Sequence, residues 1–493
     1  MIGLPRRRGQ RDSMSGVHRE SVLVWLGLDL RLADHPALAA AEATGLPVVP
    51  VFVWAPEEAG TPAPGAASRW WLHQSLLRLE ESLRAKGSRL IVRRGPAAET
   101  LAALARETGA RRIFRNRVYE PAALAVESRV RAKLAAQGVA LETFNGSLLF
   151  EPGAIRTTAG GMFQVFTPFW RALWNERGAL RRRADSRGRM PAPEKWPASL
   201  AVTELELEPR IDWAAGMREA WTPGEAGAKK LLRGFAESRV SEYAEERDRP
   251  DHEGTSRLSP HLHFGEISPV QVWHALAGKP GAEAYLRQLA WREFAYQLLC
   301  EHPKTLTEPF QAQFQRFPWR RNQRRLRAWQ KGQTGYPLVD AAMRQLWTTG
   351  WMHNRARMVA ASFLVKHLLV PWQDGAAWFL NTLADADLAN NTMGWQWVAG
   401  CGVDAAPYFR IFHPVTQGEK FDPAGDYVRK WVPELRGLPA EFIHRPWSAP
   451  PLALAEAKVR LGVDYPQPVV DHGEARAAAL AALEEMKAAW RKG

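Results

Sequence analysis

The sequence predicts two unlike units: an N-terminal α/β domain on a doubly wound, Rossmann-like parallel sheet, then an all-α C-terminal domain. Three observations lead there. Between Ser21 and about Phe150, five short β-rich runs alternate with Ala/Leu-rich helical runs. After about residue 225 helical periodicity dominates and strand signals nearly vanish. Between the two lies a stretch rich in Pro, Gly and Arg. A chain of 493 residues can hold two or three domains with substantial cores.

Taken in order, MIGLPRRRGQRDSMSG is basic and lacks the apolar core of a signal peptide. Residues 1–20 read as a disordered basic arm, or as an over-long start with Met14 as the true one. The runs VLVWLGLDL, VVPVFVW, RLIVRRG, RRIFRN and LETFNG predict five strands over 21–150, with crossover helices between them. Pro36 and Pro96 fit first helical turns, and Gly45, Gly87 and Gly109 fit helix ends. No GxGxxG follows the first strand, so a dinucleotide pyrophosphate site of that kind is not expected there. Residues 151–222 read as an interdomain linker holding one helix, FTPFWRALWNERGAL. Residues 223–475 form the helical domain, and 476–493 a C-terminal helix of surface type.

Charge and cysteine usage narrow the function classes. A net charge of +14 favours a polyanionic partner, nucleic acid before membrane. Cys300 and Cys401 cannot make a disulfide framework or a CxxC metal site, so the chain reads as cytoplasmic and metal-free. No apolar run approaches the roughly 18 residues of a membrane span; VAASFLVKHLLV is broken by Lys366.

Chemistry-bearing residues concentrate between Gly335 and Pro414. His353, Asn354, Arg355 and Arg357 interrupt an apolar helical pattern running from Val339 to Leu369, which predicts that they face a pocket. Asp385, Asp387, Asn390 and Asn391 fall within seven positions flanked by Leu383, Leu388 and Trp395, and read as ligands. Trp351, Trp372, Trp378, Trp395 and Trp397 punctuate the same region of a chain with 22 Trp, more than burial alone needs. Upstream, TSRLSP places Ser259 before Pro260 as a helix cap and first turn, a place that suits phosphate. Arg257 is expected to pair with a nearby carboxylate. His261 and His263 point to different helix faces without companion ligands, so no metal is expected. In YLRQLAWREFAYQLL, positions 288, 291, 292 and 295 share one face. Arg316, Arg320, Arg321, Arg324, Arg325, Arg327 and Lys331 read as a solvated basic face that adds to the field felt by DNA.

WMHNRxRM, DxDxxNN, GWQW and DAAPYFRIFxPxxQGEKFD stand in this order and spacing. Together they resemble the flavin domain of the cryptochrome/photolyase family, nearest to bacterial cyclobutane pyrimidine dimer photolyases, over about Ser21 to Trp447. The resemblance implies FAD, active when reduced, and an antenna of folate or deazaflavin type in the first domain. It also implies a monomer with no membrane role, acting on DNA that contains pyrimidine dimers. Residue by residue, Tyr243, Thr255, Ser256, Leu258 and Ser259 match the segment that holds the flavin dinucleotide's phosphates. Gln288, Arg292, Trp351, Asn354, Arg357, Asp385, Asp387 and Asn391 match further cofactor-binding positions, with Asn391 facing flavin N5 and Arg357 paired with Asp385. Trp395, Trp372 and Trp319 match the electron relay. Trp291 and Trp397 match the indoles that flank a flipped-out dimer, with Gln288, Asn354 and Met358 beside it. Arg247, Arg355 and Arg410 match DNA phosphate contacts.

Departures from the pattern keep alternatives open. Gly27 and Leu28 replace two polar or basic residues of many relatives, and Ala122-Ala123 replace a folate-binding Asn-Glu pair. Most cyclobutane-dimer enzymes carry Glu at Gln288, where the (6-4) photolyases resemble this chain; those enzymes, however, carry His at both Asn354 and Met358. The reading is a light-driven dimer-repair lyase, with a cryptochrome-like photoreceptor or (6-4) repair as alternatives.

Overall fold

The structure is a computed structural model describing residues 20–58, 60, 63–181, 190–405 and 409–491. The Met14 start and residues 1–19 of the basic arm lie outside the described residues. The five β-rich runs form five strands: β1 (Val22–Leu26), β2 (Val48–Trp54), β3 (Ile91–Arg94), β4 (Arg112–Asn116) and β5 (Ala140–Phe144). All pair in parallel in the order β3-β2-β1-β4-β5. Every residue of β1 is buried, as a central parallel strand requires. Val22, Val24 and Leu26 face a core shared with α1 (Pro36–Glu42) and α2 (Ala66–Ala85). Leu23 and Trp25 face the opposite core, shared with α3 (Ala97–Thr108) and α4 (Pro121–Ala135). Pro36 opens α1 and Gly109 ends α3 in the left-handed conformation, whereas Pro96 is the cap residue before α3 and not part of its first turn.

The stretch that connects the two units is packed. Its helix α5 (Phe166–Glu176) buries Phe166, Phe169, Trp170 and Leu173 against Tyr285, Leu289 and Phe294 of the helix Ala282–Glu301. Met190, Val202, Leu207, Met217 and Trp221 pack instead on the α2 side of the sheet. A second joint is electrostatic. Arg31, 1% exposed, follows β1 and donates to the carbonyls of Ala33, Asp34, Gly146 and Gly265. Such a buried guanidinium is tolerable only because those acceptors replace its water.

The apolar pattern over Val339–Leu369 does not make one helix. It folds as Pro337–Thr349, a break, Asn354–Ser362, and a π-turn at Phe363–His367. Gly350 supplies the break with φ of 66°, a backbone that side-chain-bearing residues rarely adopt. His353 then caps the next helix, its Nδ1 accepting the Arg355 N–H. Lys366, read as an interruption of the apolar run, is itself 1% exposed and donates to Ala399 O at 2.8 Å. The C-terminal helix spans His472–Arg491 and is more than a surface element, because Ala479, Ala482 and Met486 enter the main helical core. Among the described residues, no helix is long and apolar enough to cross a membrane.

Candidate functional site

The site grows from the helix Leu388–Ala399. Asp387 caps it, accepting the Asn390 N–H at 2.9 Å, and takes a second bond from the Tyr296 hydroxyl at 2.6 Å. Burial opposes the Asp387 charge, but Arg292, His263 and these hydrogen bonds outweigh it and hold the carboxyl below its ordinary range. Asp385, just upstream, forms an ion pair with Arg357 at 3.1 Å, and Arg357 also donates to Met352 O. Asn391 anchors its amide on Ala376 O at 3.1 Å. One turn later Trp395, 2% exposed, lies edge-on to Phe379 at 4.9 Å and to Trp329 at 6.1 Å. Its ring occupies the space that a Cβ on Gly375 would take. Trp372 is buried in the same core and Trp319 packs at its margin, tilted on Phe317 at 4.3 Å.

The phosphate-type segment is built differently from its sequence reading. Ser259 is the first residue of a five-residue helix, Ser259–His263, and not its cap. With Leu258 in helical backbone before it, the Ser259 hydroxyl is free to accept the Trp351 Nε1–H at 3.3 Å. Ser256 Oγ takes the Leu258 N–H at 3.2 Å and shares a proton with the Tyr285 hydroxyl. Tyr243 is buried edge-on to Tyr285, and Thr255 is half-buried. Arg257 lies over Trp221 at 4.3 Å and Trp351 at 5.5 Å and donates to Ala220 O at 3.4 Å, while the expected carboxylate, Glu253, acts on it through its charge.

On the helix Ala282–Glu301, Gln288, Trp291 and Arg292 lie together as their spacing predicts. Gln288 Oε1 accepts from Arg247 at 3.4 Å, and Arg292 donates to Ser147 O at 2.8 Å. Asp248 lies between Arg247, at 4.0 Å, and Arg355, at 2.7 Å, which gathers these two arginines into one cluster. Arg410 lies 5.6 Å from the Phe412 ring. Trp291 and Trp397 are both half-buried. Asn354 is exposed and its amide reaches the Met358 sulfur at 3.7 Å, one turn along the same face.

Several groups here had no sequence signal. Tyr296 follows Arg292 by four residues, the one spacing that points to it. Glu120 enters from the first domain, and burial together with the Asp387 charge pushes its carboxyl up to about 7. Glu293 accepts the Leu149 and Phe150 N–H groups through Oε2, while its other oxygen has no hydrogen bond. Burial pushes Glu293 up to about 7 from an ordinary 4.5, against the pull of Arg292 and those two bonds. The folded chain thus keeps a proton that the unfolded chain releases between these values. The resulting stability is full below about 4.5 and is lost as pH rises through 7. Glu293→Gln is expected to gain on the order of 1–2 kcal/mol over the natural protein at pH 8, and little at pH 5. Urea midpoints at both pH values check this; a pH-independent difference would refute it.

Buried nitrogens without hydrogen-bond partners are scattered through the described residues; those near the site are Arg257 Nε, His261 Nε2, His353 Nε2, Arg355 Nε and Arg357 Nε. Those at the site leave polar atoms that a bound polar ligand would satisfy. Residues 22–191 match the DNA photolyase family, and residues 285–485 match the FAD binding domain of DNA photolyase. A deoxyribodipyrimidine photo-lyase of Agrobacterium fabrum is 46% identical over 473 residues, covering 94% of this chain and 98% of that one.

The chain belongs to the cryptochrome/photolyase family.

Within that family, Cryptochrome-1 of Arabidopsis thaliana is 40% identical over 485 residues, covering 94% of this chain and 70% of the plant protein. The crystal structure of a class III photolyase from Agrobacterium tumefaciens superposes with a TM-score of 0.91 at 45% identity, covering 97% of this chain and all of that one. The family's FAD-binding unit is therefore the helical part that carries Asp385, Asp387 and Asn391.

Proposed function

We propose that the chain is a light-driven DNA repair lyase that splits cyclobutane pyrimidine dimers. The observation that carries the reading is one connected set of groups. The Arg247–Asp248–Arg355 cluster joins Gln288 and the Trp291 helix on one side to the helix bearing Arg357, itself paired with Asp385, on the other. Groups suited to contact phosphate, to stack on a base and to hold a flavin would thus be joined in one site. Tyr243, Thr255, Ser256, Leu258, Ser259, Trp351, Arg292, Arg357, Asp385, Asp387 and Asn391 are the residues that would hold FAD. Held there in reduced form, the flavin would supply light-driven electron donation to the dimer.

The chain's own residues have distinct tasks. Asn391 can hydrogen-bond but has no acidic proton to give, which favours an anionic partner. Arg357 adds a fixed positive charge beside it. Trp291 and Trp397 offer flat faces to an extruded base pair, which a duplex cannot present to a buried site. Trp395, Trp372 and Trp319 would pass electrons in from the surface. Ala122 and Ala123 offer no side-chain hydrogen bond to an antenna in the α/β domain. The protein would act as a cytoplasmic monomer.

Illuminating the reduced protein with a dimer-containing oligonucleotide tests the reading, and restored thymine supports it. A photoreceptor is the second reading, favoured by the identity to Cryptochrome-1. Full flavin binding and photoreduction without repair would select it; repair of (6-4) lesions alone would overturn the substrate.

Two variants sharpen the assignment. Arg355→Ala is expected to weaken binding to damaged and intact DNA alike and to flatten the salt slope by about one unit. An unchanged slope would remove Arg355 from the phosphate contacts. Gln288→Glu is expected to raise the repair quantum yield, because a carboxyl at this point can share a proton with the dimer and pair with Arg247. Dimer affinity should change by less than about 1 kcal/mol. Equal or lower yields would refute the argument.

A further inference from the structure

An indole has two faces, and the connector covers one face of Trp291. Phe166 lies against it with 3.7 Å between ring centroids and 8° between planes. That is closer and flatter than the offset or edge-on contacts usual between buried aromatic rings. Phe166 is 2% exposed and is itself held on several sides. Its N–H donates to Asp404 Oδ2 at 3.2 Å, its ring meets Phe294 edge-on at 6.0 Å, and the Arg287 guanidinium lies 5.8 Å from its centroid. Phe294 also meets Trp291 edge-on, at 5.9 Å. Trp291 is therefore backed on one face and buttressed on an edge, yet it stays half-buried, with surface left for a ligand.

Resting on the lesion-repair reading, we propose that Phe166 is a positioning residue for Trp291. The stack holds the indole plane ready for an extruded pyrimidine pair and so sets the discrimination between lesion-bearing and intact DNA. A ring free to turn would lose that freedom on binding, and the loss would fall on the lesion complex alone, since only an extruded base reaches it. A ring already clamped loses nothing. Asp404, which anchors Phe166, stands at φ of 51° in the loop that follows the helix of Trp395 and Trp397. The clamp thus draws on the connector, the Trp291 helix and that loop together.

The test compares the natural protein with Phe166→Leu, which keeps apolar bulk but removes the flat face, and Phe166→Tyr, which keeps the face. Dissociation constants are measured at one salt concentration for an oligonucleotide with a cyclobutane dimer and for its intact twin. Flavin content is read by absorbance in each variant. Phe166→Leu is expected to lose about tenfold in lesion preference, the scale of one base–aromatic stack. Its affinity for intact DNA and its flavin content should not change, and Phe166→Tyr should restore the preference. Should Phe166→Leu fail to fold, Phe166→Met carries the same comparison with a flexible chain of similar reach. Equal weakening on both DNAs, or an unchanged ratio, overturns the positioning role. A natural protein with no lesion preference overturns the repair reading itself, and this inference with it.

Discussion

Trp395→Phe is expected to abolish light-driven reduction of bound oxidised flavin while leaving dimer repair intact once the flavin is reduced chemically. Phe keeps a flat apolar ring but is much harder to oxidise than an indole, so the change removes an electron donor and little else. The site tolerates the smaller ring. Trp395 lies in a closed core beside Phe379 and Trp329, so the swap costs roughly 1–2 kcal/mol in lost packing and not the fold. Flavin absorbance during illumination with an external reductant is the measurement, and an unchanged photoreduction rate would remove Trp395 from the relay. Gly375 offers an internal control. The indole edge and the Leu364 methyl both occupy the space of a missing Cβ there, so Gly375→Ala should be harmful with Trp395 and only partly relieved by Phe.

Asp385→Ala is expected to strip the protein of flavin and to lower its stability by about 2 kcal/mol. Asp385 is almost fully buried and pairs with a guanidinium that also serves the Met352 carbonyl. Removing the carboxylate leaves a cation that is only 26% exposed without its counter-charge, which costs more than the pair contributes while intact. The flavin-to-protein absorbance ratio after purification and the urea midpoint together report the result. Stoichiometric flavin at an unchanged midpoint would sink the assignment of the pair to the cofactor site.

The strands were legible because a parallel sheet covered on both faces demands continuous apolar runs, and runs such as VVPVFVW have few other uses. The helix break at Gly350 was not. Its flanks keep an apolar period of helical type, and only the left-handed backbone of that one residue divides them. The grouping of Gln288, Trp291 and Arg292 was legible because all three lie on one helix whose spacing sets their direction, whereas Asp385 sits in a turn and meets Arg357 only through the fold. Phe166 and Glu120 were not legible, since each reaches the site from a distant part of the chain and nothing nearby in sequence records the contact. Ser259 shows the reverse failure. Ser-Pro is a sound cap signal, but with Leu258 already in helical backbone the hydroxyl turns to the Trp351 indole.

Arg31 carries a consequence for how the chain is made. Its guanidinium is finished only by Gly265 O, 234 residues further on, and by Gly146 O, 115 residues further on. At about 5–20 residues per second, the ribosome needs roughly ten to fifty seconds to deliver the more distant acceptor. Throughout that interval the nascent sheet must leave the turn after β1 open to water, because a cation sealed in without its acceptors is far more costly than one left wet. The first domain can gather its strands early, but it cannot close over Arg31 until the second has begun to emerge.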